Sequence, residues 1–471
     1  MMTMTKRILL FLCLALCCGA GLFPAFSQTG RTGQAAQEPK YNVLFIAVDD
    51  LRPELGCYGN ALIKTPNIDQ LAAAGVRFDA AYCQYPLCNP SRTSLLTGKH
   101  PTATGVLDNA TWFRAAHPGI VTLPQHFKAN GYVSLRTGKQ FHGGIDDDTA
   151  WTEGGEPRAF TGATRTGPGQ VAANSDRIVK LEGDGETHAD YRFATRAIEY
   201  LEKYKDKPFF LAVGFTKPHS PPTAPAKMIA QYDAAKMPLP VDFAARPAAP
   251  AGFPALSIPP RNGDLFIGRD ASEAEAREVM RAYYASTSFT DANVGRVIAA
   301  LNRLGLRGNT IIVFWGDHGY HLGEKGKWSK HNSLYEVGAR VPLIIVPPGT
   351  KQAGKSSPRT VQLLDMYPTL VELCGLPQPA SGLQGHSLTP LLKNPKAKWD
   401  HPAFTVTRFQ NKLGRAVRTE RWRYAEWLDG EEGAMLFDHT KDPHELKNLA
   451  NDPAHAKVVK EMKALLNQLP K

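Results

Sequence analysis

Two apolar runs that stop abruptly on acids constrain this chain more than any other feature. Residues 41–50 read YNVLFIAVDD and residues 309–319 read NTIIVFWGDHG. An unbroken apolar run of this length, without polar alternation, predicts a strand buried on both faces, as in a parallel sheet covered by helices. In open α/β sheets ligands collect beyond the carboxyl ends of the strands. The same rule therefore places Asp49, Asp50, Asp317 and His318 at one edge. Carboxylates gathered from distant positions repel one another unless a cation lies between them, and hard oxygen ligands suit Ca²⁺ or Mg²⁺. The plainer alternative is that each acid is a solvated strand end.

The rest of the chain supports the α/β assignment by alternation. PNIDQLAAA (66–74) opens with proline at a helix start and closes at Gly75, and VRFDAAY (76–82) reads as a strand. A helix near LPQHFKAN, a strand at GYVSLRT, a long helix over 188–204 and the strand PFFLAVGF follow. Residues 237–262 are dense in proline and alanine and predict an irregular surface excursion within one domain. Helices are expected over 272–304 and 360–374, with the buried strand RVPLIIVPPG between them. From about residue 400 the pattern changes to short strands, AFTVTR, GRAVRT, RWRYAEW and AMLFDH, then a helix near 454–468. That predicts a small antiparallel sheet backed by a helix.

The N-terminus fixes the expected compartment. KRILLFLCLALCCGAGLFPAFS (6–27) has a basic start, an apolar run and a small-residue exit, which predicts a secretory signal over 1–27 and a periplasmic or secreted protein with no stable membrane span. Cys17 and Cys18 prompt a lipoprotein alternative, but Leu16 occupies the position before the acylated cysteine where a small residue is wanted. Removing 1–27 takes away only Lys6 and Arg7, so the chain stays basic from its formal +11. An anionic partner follows. Export, the lack of a dense Lys/Arg tract and the lack of a stacking-aromatic module argue against nucleic acid, and a sulfated or carboxylated glycan fits better. Only Cys57, Cys83, Cys88 and Cys374 remain after cleavage, too few for a disulfide scaffold. A tight Cys83–Cys88 bridge is the structural alternative to a chemical role for Cys88.

CNPSRTSLLTG (88–98) sets Cys88, Pro90 and Arg92 in fixed register ahead of Leu96, Thr97 and Gly98. This stretch resembles the signature of type I sulfatases. The resemblance extends from LFIAVDDLRPELGCYG through TKPHSPP and GDHGYHLGEKGKWSKHN to LFDHTKDPHELKNLAND. TGKQFHGG, FTKPH and the Asp317–His318 pair place it nearest the iduronate-2-sulfatase branch. It implies an alkaline phosphatase-like core with a mixed, mostly parallel sheet between helices, a catalytic domain over 41–395 after a 28–40 linker, and a C-terminal sheet subdomain over 396–471.

The resemblance also implies a chemistry. A formylglycine-generating enzyme would oxidise Cys88 to Cα-formylglycine, using the C-x-P-x-R order as its recognition tag. The hydrated aldehyde would offer one hydroxyl to attack sulfur and a second whose deprotonation releases sulfate. One Ca²⁺ would be held by Asp49, Asp50, Asp317, residue 88 and His318, although imidazole is an unusual calcium ligand and His318 could instead hydrogen-bond sulfate or nucleophile. Arg92, four residues after Cys88 on a helix, would brace the nucleophile. Lys139 and His142 would contact its hydroxyls, with His142 as base. His219 and Lys330 would bind sulfate and the ester oxygen, with His219 donating a proton to the departing alcohol. His321, Lys325, Lys327, Trp328 and His331 are expected to form mostly a solvated basic rim. The implied activity is a sulfuric ester hydrolase acting on a sulfated, uronic-acid-containing or other anionic glycan. A phosphoester or phosphonate hydrolase on the same core and a catalytically silent glycan-binding protein are the rivals.

Overall fold

The computed structural model describes residues 41–156 and 176–470, so the expected signal and linker lie outside the described residues. In chain order the strands are β1 (Asn42–Val48), β2 (Val76–Tyr82), β3 (Val133–Gly138), β4 (Val179–Leu181), β5 (Phe209–Phe215), β6 (Thr223–Pro225), β7 (Thr310–Gly316), β8 (Arg340–Val346), β9 (Lys355–Gln362), β10 (Ala403–Phe409), β11 (Lys412–Arg418), β12 (Trp422–Trp427) and β13 (Ala434–Asp438). Seven make the main sheet, in the order β3-β5-β1-β7-β8-β2-β9. Only β8 runs against its neighbours; the other pairings are parallel.

Side-chain alternation explains why the sheet sits between two helical layers. On β1, Val43, Phe45 and Ala47 join Leu95, Leu96, Phe127 and Tyr367 in one core cluster. Leu44, Ile46 and Val48 join Leu71, Ala197 and Val294 in another. Helices Cys88–Thr97, Leu123–Ala129 and Met366–Leu373 thus cover one face, and Pro66–Ala74, Ala189–Tyr204 and Glu273–Arg303 the other. Helix Glu273–Arg303 starts on a capping box, in which Ser272 accepts from the Glu275 amide while the Glu275 carboxylate accepts from the Ser272 amide.

One expected helix is partly a strand. Residues 360–374 were expected to be helical throughout, but β9 runs to Gln362 and the α-helix begins at Met366. Pro358 disguises this strand in the sequence; proline donates no ladder hydrogen bond and is tolerated here because β9 is an edge strand. The second sheet, β10-β11-β12-β13, is antiparallel. One of its faces packs Val406, Val417, Tyr424 and Leu436 against Met462 and Leu466 of helix Ala456–Leu466. The other packs Ala425, Trp427, Met435 and Phe437 against Leu334, Tyr335 and Ile258.

Candidate active site

Asp49, Asp50, Asp317 and His318 follow directly from the ends of β1 and β7, and Lys139 from the end of β3. Asp49 continues the ladder past β1, its amide donating to Phe215 O at 3.2 Å, and Asp317 does so past β7, donating to Val48 O at 3.1 Å. Asp50 turns the chain away from the sheet in the left-handed region, with φ 59°. That conformation is costly for a residue with a Cβ and needs support from its surroundings. Here the Asp50 amide donates to Asp317 Oδ1 at 3.1 Å and its carbonyl accepts from Tyr283 Oη at 2.7 Å.

Cys88 follows β2 and is the first residue of helix Cys88–Thr97, every residue of which is buried. A helix N-terminus carries partial positive charge, which favours an anion at that position. Cys88 Sγ lies 3.4 Å from Asp49 Oδ1 and 3.4 Å from His318 Nε2. Cys83 instead points at Gly338 O, 4.0 Å away, and all four cysteines of the described residues are free, so the Cys83–Cys88 bridge is not formed. Arg92 projects back along the helix. Its Nε donates to Asp317 Oδ2 at 2.8 Å and its Nη1 to Lys139 O at 2.6 Å.

Cations surround this acid cluster. Lys139 pairs with Asp49, and Lys330 Nζ lies 3.0 Å from Asp50 Oδ2 and 3.1 Å from His219 Nε2. Burial alone would raise the Asp49 carboxyl, but Lys139, then His219 and Arg92, hold it well below the usual range. Asp317 goes the other way, raised by burial despite Arg92. Burial, reinforced by Lys139, pulls His142 down to about 3, so its ring is neutral. Burial and Lys330 also lower His219.

Two histidine tautomers follow from the donors and acceptors around them. His318 Nδ1 faces Gly319 O at 3.0 Å and must donate to it, which leaves Nε2 as the nitrogen facing Cys88, Asp50 and Asp317. Against the burial that lowers it, the Asp317 charge pushes His318 up to about 10, and a divalent cation among these carboxylates would displace that proton. His219 Nδ1 likewise donates to Ser220 O at 2.8 Å, so Nε2 accepts from the Lys330 ammonium. In this arrangement the His219 ring nitrogen that faces the site accepts from Lys330, whereas the family resemblance implies a proton donor there.

The expected solvated rim is also corrected. His321, Lys325, Lys327 and Trp328 are buried because Leu322 and Trp328 of this loop pack with Tyr320 and Phe266 in one cluster. Lys325 pairs with Asp242 at 2.6 Å, and Lys327 Nζ donates to His331 O. Only His331 stays partly open, its side chain 36% exposed. Sequence reading missed Asp264, which touches both Lys330 and His331. It lies just past the irregular 237–262 stretch, where no periodicity or motif marks it.

Four ligand-type atoms, from Asp49, Cys88, Asp317 and His318, lie within 4.8 Å of one another, and Asp50 Oδ1 is buried without a hydrogen-bond partner. A dry acid cluster ringed by cations beside a helix-borne nucleophile suits a tetrahedral anion. Fold and site together define an alkaline phosphatase-like hydrolase of anionic esters. Comparison narrows the class. The sulfatase family model matches residues 41–376, and the model for the C-terminal part of N-sulphoglucosamine sulphohydrolase matches 323–471. A sulfatase of Formosa agariphila is 34% identical over 464 residues, covering 93% of this chain and 89% of that protein. Iduronate 2-sulfatase of Mus musculus is 31% identical over 530 residues, covering 92% and 95%. The solved structure of a 2-O GAG sulfatase superposes with a TM-score of 0.69 at 27% identity, covering 91% of each chain. The chain belongs to the type I sulfatase family, and the protein is a sulfatase.

Proposed function

We propose that the protein removes sulfate from a sulfated, uronic-acid-containing glycan, with residue 88, converted from cysteine to formylglycine, as nucleophile beside one Ca²⁺. The observation that carries this reading is the position of Cys88 Sγ, 3.4 Å from both Asp49 Oδ1 and His318 Nε2, on the helix that carries the C-x-P-x-R order. Asp49, Asp50, Asp317 and His318 fit a calcium ion, because Asp50 Oδ1 has no hydrogen-bond partner and His318 Nε2, once its proton is displaced, faces the cluster. Calcium bound there supplies positive charge that keeps the nucleophile ionised and polarises a sulfate oxygen. The aldehyde hydrate at residue 88 supplies a geminal diol, one hydroxyl for attack and one for release.

The chain's own residues divide the remaining work. Arg92 fixes Asp317 and the loop bearing Lys139 from inside the site. Lys139 faces the nucleophile side, and His142, neutral at working pH, is suited to accept the second hydroxyl's proton. Lys330 stabilises charge developing on the leaving oxygen, with His219 holding it by its lone pair. The formal +11 of the chain favours a substrate with carboxylate or further sulfate near the ester, and the names of the mouse and 2-O GAG relatives support a uronate glycan. Export through the N-terminal segment and maturation by a formylglycine-generating enzyme belong to the same reading.

The test is a mass measurement of the peptide containing residue 88 together with a panel of sulfated uronic-acid, galactan and fucan oligosaccharides, choline sulfate and aryl phosphates. A residue 88 that is lighter than cysteine by the change from thiol to aldehyde is expected. Sulfate release should be abolished by Cys88→Ala and by a chelator, restored by calcium in the second case, and weakened by salt. Wild-type rates from Cys88→Ala would exclude the nucleophile, full activity without metal would exclude the calcium, and preference for a phosphate ester would replace the substrate class.

A further inference from the structure

We propose that Asp264 is a positioning residue that aims Lys330 at the leaving oxygen of the substrate. The inference rests on the sulfate-ester reading above and adds a residue just past the irregular 237–262 excursion to its machinery. Lys330 touches three groups: Asp50 Oδ2 at 3.0 Å, His219 Nε2 at 3.1 Å and Asp264 Oδ2 at 3.4 Å. These are not equivalent. Asp50 belongs to the acid cluster that would share its charge with a cation, and His219 offers a lone pair and no charge. Asp264 is the carboxylate left to hold the ammonium in place.

The backbone around Asp264 is built to keep it there. Trp328 N donates to Asn262 Oδ1 at 2.8 Å, Leu265 N donates to Trp328 O at 3.2 Å, and Asn262 Nδ2 donates to Gly326 O at 3.4 Å. Residues 262–265 are thereby laced to 326–328, one turn of chain before Lys330. Gly263 lies so close that a Cβ there would come 2.9 Å from the His331 ring and 3.1 Å from Ser329 Oγ. Asp264 Oδ1 lies 3.3 Å from the other partner of this strap, His331 Nε2. The carboxylate is 9% exposed, with the Tyr320 hydroxyl as a further neighbour. Burial would raise its pKa; Lys330, then His331, hold it well below the usual carboxylate range and therefore charged.

A group that aids leaving-oxygen charge matters most when the leaving group is poor. The full-length protein and its Asp264→Asn, Asp264→Glu, Lys330→Met and Asp264→Asn/Lys330→Met variants are assayed on a sulfated sugar, whose leaving group is a basic alkoxide, and on 4-nitrophenyl sulfate, whose leaving group is a weak base. Asp264→Asn should lower kcat on the sugar ester on the order of 100-fold while changing aryl ester turnover little. Asp264→Glu should recover part of the loss. The double variant should be no worse than Lys330→Met, because the two residues act as a unit. Equal losses on both esters, additive losses in the double variant, or no loss on either ester would overturn the positioning role. Where Asp264→Asn yields little folded protein, the ratio of the two rates in Asp264→Glu decides the same question. If the wild type releases sulfate from neither ester, the sulfate-ester reading itself falls and takes this role with it.

Discussion

Arg92 shows how much of the site depends on single side chains. Its guanidinium is fully buried, bonded to Asp317 on one side and to the Lys139 carbonyl on the other, with Cζ 5.7 Å from the Trp315 ring. A lysine at this position could not reproduce that fork. Buried histidines outside the acid cluster give a cleaner test of electrostatics. His100 is 1% exposed, packs edge-on against Phe404 with ring centroids 6.0 Å apart, and is pulled down to about 3 by burial. Unfolded histidine titrates near 6.5, so between about 6.5 and 3 the unfolded chain binds the extra proton and this residue's contribution falls as pH falls. Relative to His100→Gln, the wild type should lose about 2 kcal/mol more between pH 6.5 and 5, read from denaturant unfolding at the two pH values. A wild type and variant with the same pH slope would show that the ring is not held neutral.

At the scale of elements, the end of β3 illustrates how backbone geometry delivers chemistry. Gly138 has φ 71°, and a Cβ there would lie 2.0 Å from Gly214 O at the end of β5. Gly214 mirrors this, with a Cβ only 1.9 Å from Lys139 O. The two glycines let the β3 and β5 ends touch, and the next residue, Lys139, reaches Asp49 and offers its carbonyl to Arg92. Gly138→Ala should therefore cost about 2–4 kcal/mol of stability, from left-handed strain plus overpacking, and reduce kcat more than KM. Unfolding midpoints and steady-state kinetics on one preparation would check both. The β9 strand teaches a different lesson: Pro358 argues for a break in the chain, and only its place on the sheet edge makes a strand acceptable.

At the scale of the molecule, a buried ionic network fastens the second sheet to the first. Arg423 on β12 donates to Glu336 Oε2 at 2.5 Å, and its Nε lies 2.8 Å from Glu445 Oε1. Glu336 also accepts from Tyr82 Oη at the end of β2, and His439 Nε2 lies 3.1 Å from Glu445. The two glutamates and His439 have metal-like spacing, but Arg423 and Arg418 already neutralise the acids. The same sheet supports the nucleophile segment: Val406 N donates to Gln84 O at 2.9 Å and Thr405 Oγ1 to Cys83 O at 2.7 Å, and Tyr85 and Leu87 share its core. Arg423→Ala leaves the buried Glu445 without its arginine and Glu336 with one arginine fewer, and a loss of about 3–5 kcal/mol is expected in denaturant unfolding. A loss below about 1 kcal/mol would mean the network is solvated in solution.

The sequence by itself determined what depends on neighbours along the chain. The apolar runs of β1 and β7 specify buried strands, the acids after them specify the sheet edge, and the register of Cys88, Pro90 and Arg92 places a thiol and a guanidinium on one face of one helix. Tertiary structure alone decided what depends on residues far apart in sequence. Lys325 and Lys327 look like solvated charge until the loop folds onto an aromatic cluster and supplies their partners. His219 becomes an acceptor because Lys330 arrives from a different loop. Asp264 joins the site because backbone bonds lace 262–265 to 326–328. Periodicity and motif record local geometry, whereas burial, tautomer and charge pairing are set by the three-dimensional surroundings of each group.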